Sequence, residues 1–123
     1  MTSNNMNDNA ATLSFFKEEI AKFVEERNWK KYHTPKNLIQ ALGIEVAELS
    51  EIFLFRNYEI SEIYENKKLL ESISDEIADV FIYLISLINC LKIDLYDTFT
   101  KKMLKNEKKY SVHEFNDGTF YKK

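Results

Sequence analysis

Apolar side chains recur along this chain every three or four residues, the spacing of one buried face of an α-helix. Leu13, Phe16, Ile20, Phe23 and Val24 make the first such series, with Thr12 or Ser14 as N-cap and an expected end near Asn28. The segment Trp29-Lys30-Lys31-Tyr32-His33 breaks the period and reads as a loop. Thr34-Pro35 then opens a second helix, a hydroxyl cap followed by a proline whose missing N–H costs nothing at the first helical position. That helix is expected to run to about Phe55. Residues 56–68 are polar and weakly periodic, either a loop or a short extra helix around Ser61–Glu65. A third long helix is predicted from Leu69 to Leu91. Asp94 caps a fourth, which carries Leu95, Phe99, Met103 and Tyr110. These helices make one domain over 12–110, preceded by a flexible polar leader (1–11) and followed by a tail (111–123). The tail holds an Asn116-Asp117-Gly118 turn and is expected to form a short extended flap.

Composition agrees with an all-α fold. Two glycines and one proline in 123 residues are too few for the turns of a sandwich, a meander or a βαβ series. With 45% hydrophobic residues the chain can bury a core. A net charge of −3 gives no electrostatic footprint for nucleic acid. The longest apolar stretch, Val80 to Leu91, is interrupted by Tyr83, Ser86 and Asn89 and falls short of the roughly 20 residues a membrane span requires. A single cysteine, Cys90, excludes an internal disulfide and fits a reducing compartment. No secretory signal is visible in Met1 to Ala11. A soluble, cytoplasmic protein without membrane or nucleic-acid partners is expected.

The informative positions are the polar ones inside apolar stripes. With Leu38 at zero on a helical wheel, Leu42 falls at about 40° and Ile52 at about 320°, while Glu45 lies between them at about 340°. Glu48 sits at the stripe's edge, at about 280°. The third helix repeats the device: with Leu69 at zero, Glu76 lies at about 340° among Ile73, Val80 and Tyr83, and Asp79 lies at about 280°. One Glu-x-x-Glu pair is ordinarily a solvated face. Two pairs in matched phase, each inside an apolar stripe with no Lys or Arg one turn away, need a counter-charge. Carboxylates at i and i+3 are neighbours, so two such helices form an all-oxygen nest suited to Mg²⁺ or Mn²⁺. A Glu-x-x-His di-iron arrangement is disfavoured, because Lys30 and Tyr110 stand three positions before the only histidines, His33 and His113. On the fourth helix Lys102 and Asn106 also lie within the apolar stripe, with Lys109 beside them. Beside a cation they fit an anionic, phosphate-bearing substrate. Trp29, Tyr32 and His33 supply rings that can stack on a planar base.

Glu45-Val46-Ala47-Glu48 followed by Glu76-Ile77-Ala78-Asp79 resembles the Glu-x-x-Glu…Glu-x-x-Asp signature of the MazG-like all-α nucleoside triphosphate pyrophosphohydrolases. Glu26-Arg27-Asn28-Trp29, Tyr32-His33-x-Pro35-Lys36-Asn37-Leu38, Asp79-Val80-Phe81-Ile82-Tyr83 and Lys102-Met103-x-x-Asn106 with Lys109-Tyr110 are similar to its dCTP pyrophosphatase branch. The resemblance implies a four-helix, bundle-like fold assembled as a homodimer or dimer of dimers. It also implies Mg²⁺-dependent hydrolysis of a nucleoside triphosphate, dCTP or a modified dCTP, to the monophosphate and pyrophosphate. Glu45, Glu48, Glu76 and Asp79 would hold the metal, with Glu45 or Glu48 taking the proton of the attacking water. Trp29, Tyr32, His33, Phe55 and Tyr83 would line the nucleoside pocket, and Lys102, Asn106 and Lys109 would meet phosphates or complete it. Phe55 stands where the family often has Trp, and Ser111 where it often has Pro. An all-α dUTP pyrophosphatase and a non-catalytic helical bundle that binds nucleotide or a partner remain the alternatives.

Overall fold

The computed structural model describes residues 6–123, so residues 1–5 of the predicted leader lie outside the described residues. Five α-helices follow one another: α1 (Leu13–Glu26), α2 (Pro35–Ile52), α3 (Ile60–Glu65), α4 (Lys67–Leu91) and α5 (Leu95–Lys109). There is no strand among the described residues. The chain divides into two compact units, Met1–Leu91 and Lys92–Lys123.

Most helix starts obey the sequence's own capping chemistry. Thr12, Thr34 and Asp94 each accept a hydrogen bond from the backbone N–H three residues on, and Pro35 follows Thr34 at the first helical position. The ends depart from expectation by one to three residues, for local reasons. The first helix closes at Glu26 because Asn28 takes a left-handed φ of 55°. Its N–H then donates to the Glu25 carbonyl, and the Trp29 N–H donates to the Val24 carbonyl, which makes a Schellman cap. The predicted loop that follows contains a 3₁₀ turn, Lys30–Tyr32. The second helix stops at Ile52 rather than Phe55, because the N–H groups of Phe53 and Leu54 reach only three residues back. The short helix expected at Ser61–Glu65 is present as α3, opened by a Glu59/Glu62 capping box. The third long helix begins at Lys67, before Leu69, because the Asn66 side chain accepts from the Leu69 N–H.

Within the first unit α2 packs lengthwise on α4, and α1 and α3 also lie against α4. Leu38, Ile73, Ile85 and Ile88 are its buried apolar residues, each worth about 1.5–3 kcal/mol of transfer free energy. Phe16 meets Phe81 edge to face at 5.2 Å, and the Asn89 amide donates to the Lys17 carbonyl, tying α1 to α4. The described part of the leader, Met6 to Ala11, is a turn closed by hydrogen bonds from Ala10 and Ala11 to the Asn7 carbonyl.

In the second unit the tail forms turns, not the expected extended flap. The N–H groups of Glu114 and Phe115 donate to the Ser111 carbonyl, and Gly118 takes the positive φ of 84° that the predicted Asn116-Asp117-Gly118 turn requires. Phe115 and Phe120 pack on Tyr110, whose hydroxyl accepts from the Lys123 N–H. Glu114 accepts from the Tyr121 hydroxyl and pairs with the Lys123 ammonium. Aromatic contacts between the tail and the end of α5 outweigh any tendency to extend.

Candidate metal centre and adjoining cavity

The wheel phases of the four acids determine where the fold places them. Glu45 and Glu76 lie on the facing sides of α2 and α4 and are half-buried; Asp79, one turn on, is also half-buried, while Glu48 stays exposed at the edge. Glu45, Glu76 and Asp79 each offer a carboxylate oxygen within 4.8 Å of the others. One oxygen of Glu45 and one of Glu76, the Oε2 atoms, are buried without a hydrogen-bond partner. None of the ion pairs seen among the described residues involves the four acids.

Such crowding has an electrostatic consequence. Burial, together with the neighbouring Glu48 and Asp79 carboxylates, pushes the Glu45 pKa up to about 7. Burial also raises that of Glu76, with Glu48 adding to the effect. Orphaned buried oxygens are costly. Hard oxygen donors from two helices, paired with no cationic side chain among the described residues, fit a divalent ion of the Mg²⁺ or Mn²⁺ type.

One turn towards the N-terminus of α2 and one turn towards the C-terminus of α4, the same two helices line a cavity of about 250 Å³. Trp29, Tyr32, His33, Asn37, Leu38, Ala41 and Tyr83 form its wall. Ala41 precedes Glu45 by four residues and Tyr83 follows Asp79 by four, so cavity and acidic nest are about 6 Å apart along the helix axes. The loop side is braced from both helices. The Asn37 amide nitrogen donates to the Tyr32 carbonyl at 3.0 Å, and the Cys90 thiol donates to the His33 carbonyl at 3.3 Å. Phe23 meets Trp29 edge to face at 5.9 Å, which orients the indole. Burial lowers the His33 pKa, so its ring is neutral at pH 7.

Of the predicted pocket residues, Trp29, Tyr32, His33 and Tyr83 come together on this cavity, whereas Phe55 does not line it. Phe55 stands past the end of α2, 99% exposed, with a left-handed φ of 58°. Lys102, Asn106 and Lys109 belong to the second unit, on α5. There Lys102 is exposed, as are Phe99 and Met103 of the stripe it was expected to share; Asn106 is half-buried, and the Lys109 ammonium lies 5.6 Å from the centre of the Tyr110 ring. Asn37, Leu38 and Ala41 were not anticipated as cavity residues. For Asn37 the available signal is its place at the third position of α2, where a side-chain amide can reach back to the preceding loop.

Comparison with known proteins agrees with the acidic signature. A model of the MazG-like family matches residues 41–119, which include both acid pairs. The chain is 33% identical over 103 residues to dCTP pyrophosphatase 1 of Bos taurus and 35% identical over the same length to that of Mus musculus. Each alignment covers 83% of this chain and 61% of the relative, so the chain spans about three fifths of the length of the curated relatives it matches. A crystal structure of a pyrophosphatase from Archaeoglobus fulgidus is similar at a TM-score of 0.72 and 34% identity, over 89% of this chain and 99% of that one.

Proposed function

The chain belongs to the MazG-like family, and from that premise we propose that it hydrolyses a nucleoside triphosphate, dCTP or a modified dCTP, to the monophosphate and pyrophosphate with Mg²⁺. One observation carries this reading: two partnerless buried carboxylate oxygens, on facing helices, sit one turn from an aromatic cavity. Its likeness to dCTP pyrophosphatases supports the choice of base.

In this reading Glu45, Glu76 and Asp79 hold the cation, with Glu48 at the rim. The cation, when bound, supplies positive charge for the triphosphate and lowers the pKa of the attacking water. Trp29, Tyr32 and Tyr83 stack on or enclose the base, and the sugar spans the turn between cavity and nest. Fixing the base there holds the α-phosphorus beside the carboxylates, which lowers the entropic part of the barrier. Glu45 or Glu48 accepts the water's proton as the water attacks and pyrophosphate leaves.

The same reading includes a homodimer or dimer of dimers. Ile39, Ile44 and Val46 on α2 and Ile77 and Leu84 on α4 are exposed, more apolar surface on one helix pair than a solvated face ordinarily carries. Light scattering on the purified protein is expected to give twice or four times the chain mass.

The deciding experiment incubates the protein with dCTP, dUTP and ATP in Mg²⁺ and identifies the released phosphate. Pyrophosphate from dCTP supports the proposal, and preferential use of dUTP identifies a dUTP pyrophosphatase instead. Orthophosphate release, or binding without turnover, overturns it. Glu45→Gln and Asp79→Asn are expected to abolish turnover while the helical circular dichroism signal stays intact; a fully active Asp79→Asn refutes the metal assignment.

A further inference from the structure

The cavity's polar groups differ in what they can distinguish. Tyrosine hydroxyls rotate and can donate or accept, and a neutral imidazole such as His33 can present its proton on either nitrogen. None of these separates an amino group from a keto group on a base edge. Asn37 is different. The Tyr32 carbonyl can only accept, so it holds the amide nitrogen of Asn37 towards itself at 3.0 Å. The amide cannot turn over without setting two oxygens against each other. Its Oδ1 is thereby committed as an acceptor, and no hydrogen bond to Oδ1 is seen among the described residues. The backbone of the same residue is fixed as well, since the Asn37 N–H donates to the Thr34 hydroxyl that caps α2.

We infer that Asn37 is a specificity-determining residue whose oriented Oδ1 accepts from an exocyclic amino group on the base. This rests on the proposed nucleotide site and sharpens it. A 4-amino pyrimidine offers the donor that Oδ1 needs, whereas a 4-keto pyrimidine sets oxygen against oxygen and leaves both unsatisfied. The selection comes from a main-chain carbonyl locking a side-chain amide. It requires no charged group in the cavity, and none lines it.

The test compares kcat/KM for dCTP and dUTP in the wild type, Asn37→Ala and Asn37→Asp, alongside calorimetric binding of dCMP and dUMP without metal. Asn37→Ala is expected to lower the dCTP:dUTP ratio of kcat/KM about 10- to 100-fold. Asn37→Asp keeps an acceptor but loses the bond to Tyr32; it is expected to retain a preference for dCTP with a raised KM. If Asn37→Ala slows both substrates equally, Asn37 merely anchors the loop and the inference is overturned. If the wild type hydrolyses neither nucleotide, the proposed activity falls, yet a preference for dCMP over dUMP that Asn37→Ala abolishes still upholds the role of Asn37. Equal binding of dCMP and dUMP by the wild type overturns it.

Discussion

Neutralising a single member of the acidic nest should stabilise the protein when metal is absent and weaken it, relative to wild type, when metal is present. The oxygens of Glu45, Glu76 and Asp79 lie within 4.8 Å of one another. Two unit charges at that distance repel by about 0.9 kcal/mol in water and by about 3.5 kcal/mol at an effective dielectric of about 20. Glu45 is only half-buried, so solvent screening favours the lower figure. With two charged neighbours, Glu45→Gln then relieves about 2 kcal/mol at pH 8. For a chain of this size that raises the midpoint of thermal unfolding by about 6–10 °C in EDTA. The gain should be smaller at pH 6 and vanish only near pH 4.5, the ordinary carboxylate value. The Glu45 pKa of about 7 lies above that value, so below pH 7 the wild-type group takes up a proton on folding, which relieves the repulsion at a cost that ends only where the unfolded chain is protonated too. For an acid shifted upward, stability falls as pH rises from the ordinary value through 7, and the cost is complete above it. Mg²⁺ reverses the ranking, because a ligand at about 100 times its Kd adds about 2.7 kcal/mol to the protein that binds it. Differential scanning fluorimetry at pH 6 and pH 8, with EDTA or Mg²⁺, reads all four states. A variant less stable than wild type in EDTA at pH 8, or an equal Mg²⁺ shift in both proteins, refutes the argument.

The proton on Glu45 must leave before a cation binds, so Mg²⁺ affinity measured by calorimetry should weaken about tenfold for each pH unit below 7 and level off above 8. Leu38 is 2% exposed, and Leu38→Ala should cost about 3 kcal/mol by urea unfolding, with the m-value unchanged. Phe55 holds a left-handed φ of 58° with its ring in solvent. Phe55→Gly should therefore raise stability by about 1 kcal/mol, while a raised KM for the nucleotide would place the ring in the substrate site.

What was legible in the sequence was whatever depends on neighbours a few residues away. Thr34-Pro35 and Asp94 announce their helices because capping is settled within one turn, and Asn66 caps the start of α4 by the same local rule. The acids were legible for the same reason: phase on a wheel fixes which side chains share a stripe, and Glu45 and Glu76 are half-buried where their stripes are. Phase does not say what covers a stripe. The apolar positions of α5 share a phase on the wheel, but Phe99 and Met103 among them are exposed, and Lys102 with them. Aromatic pairing across the turn likewise folded a tail whose local pattern suggested extension.

Least legible was the cavity's polar wall. The bonds that orient it run from side chains to main-chain carbonyls, from Asn37 to Tyr32 and from Cys90 to His33. Every residue carries a carbonyl, so no pattern of side chains marks which one will be chosen. The acidic nest and the cavity illustrate two kinds of information in one site: charge placement is written in the spacing of residues, whereas donor and acceptor direction emerges only once the backbone has turned.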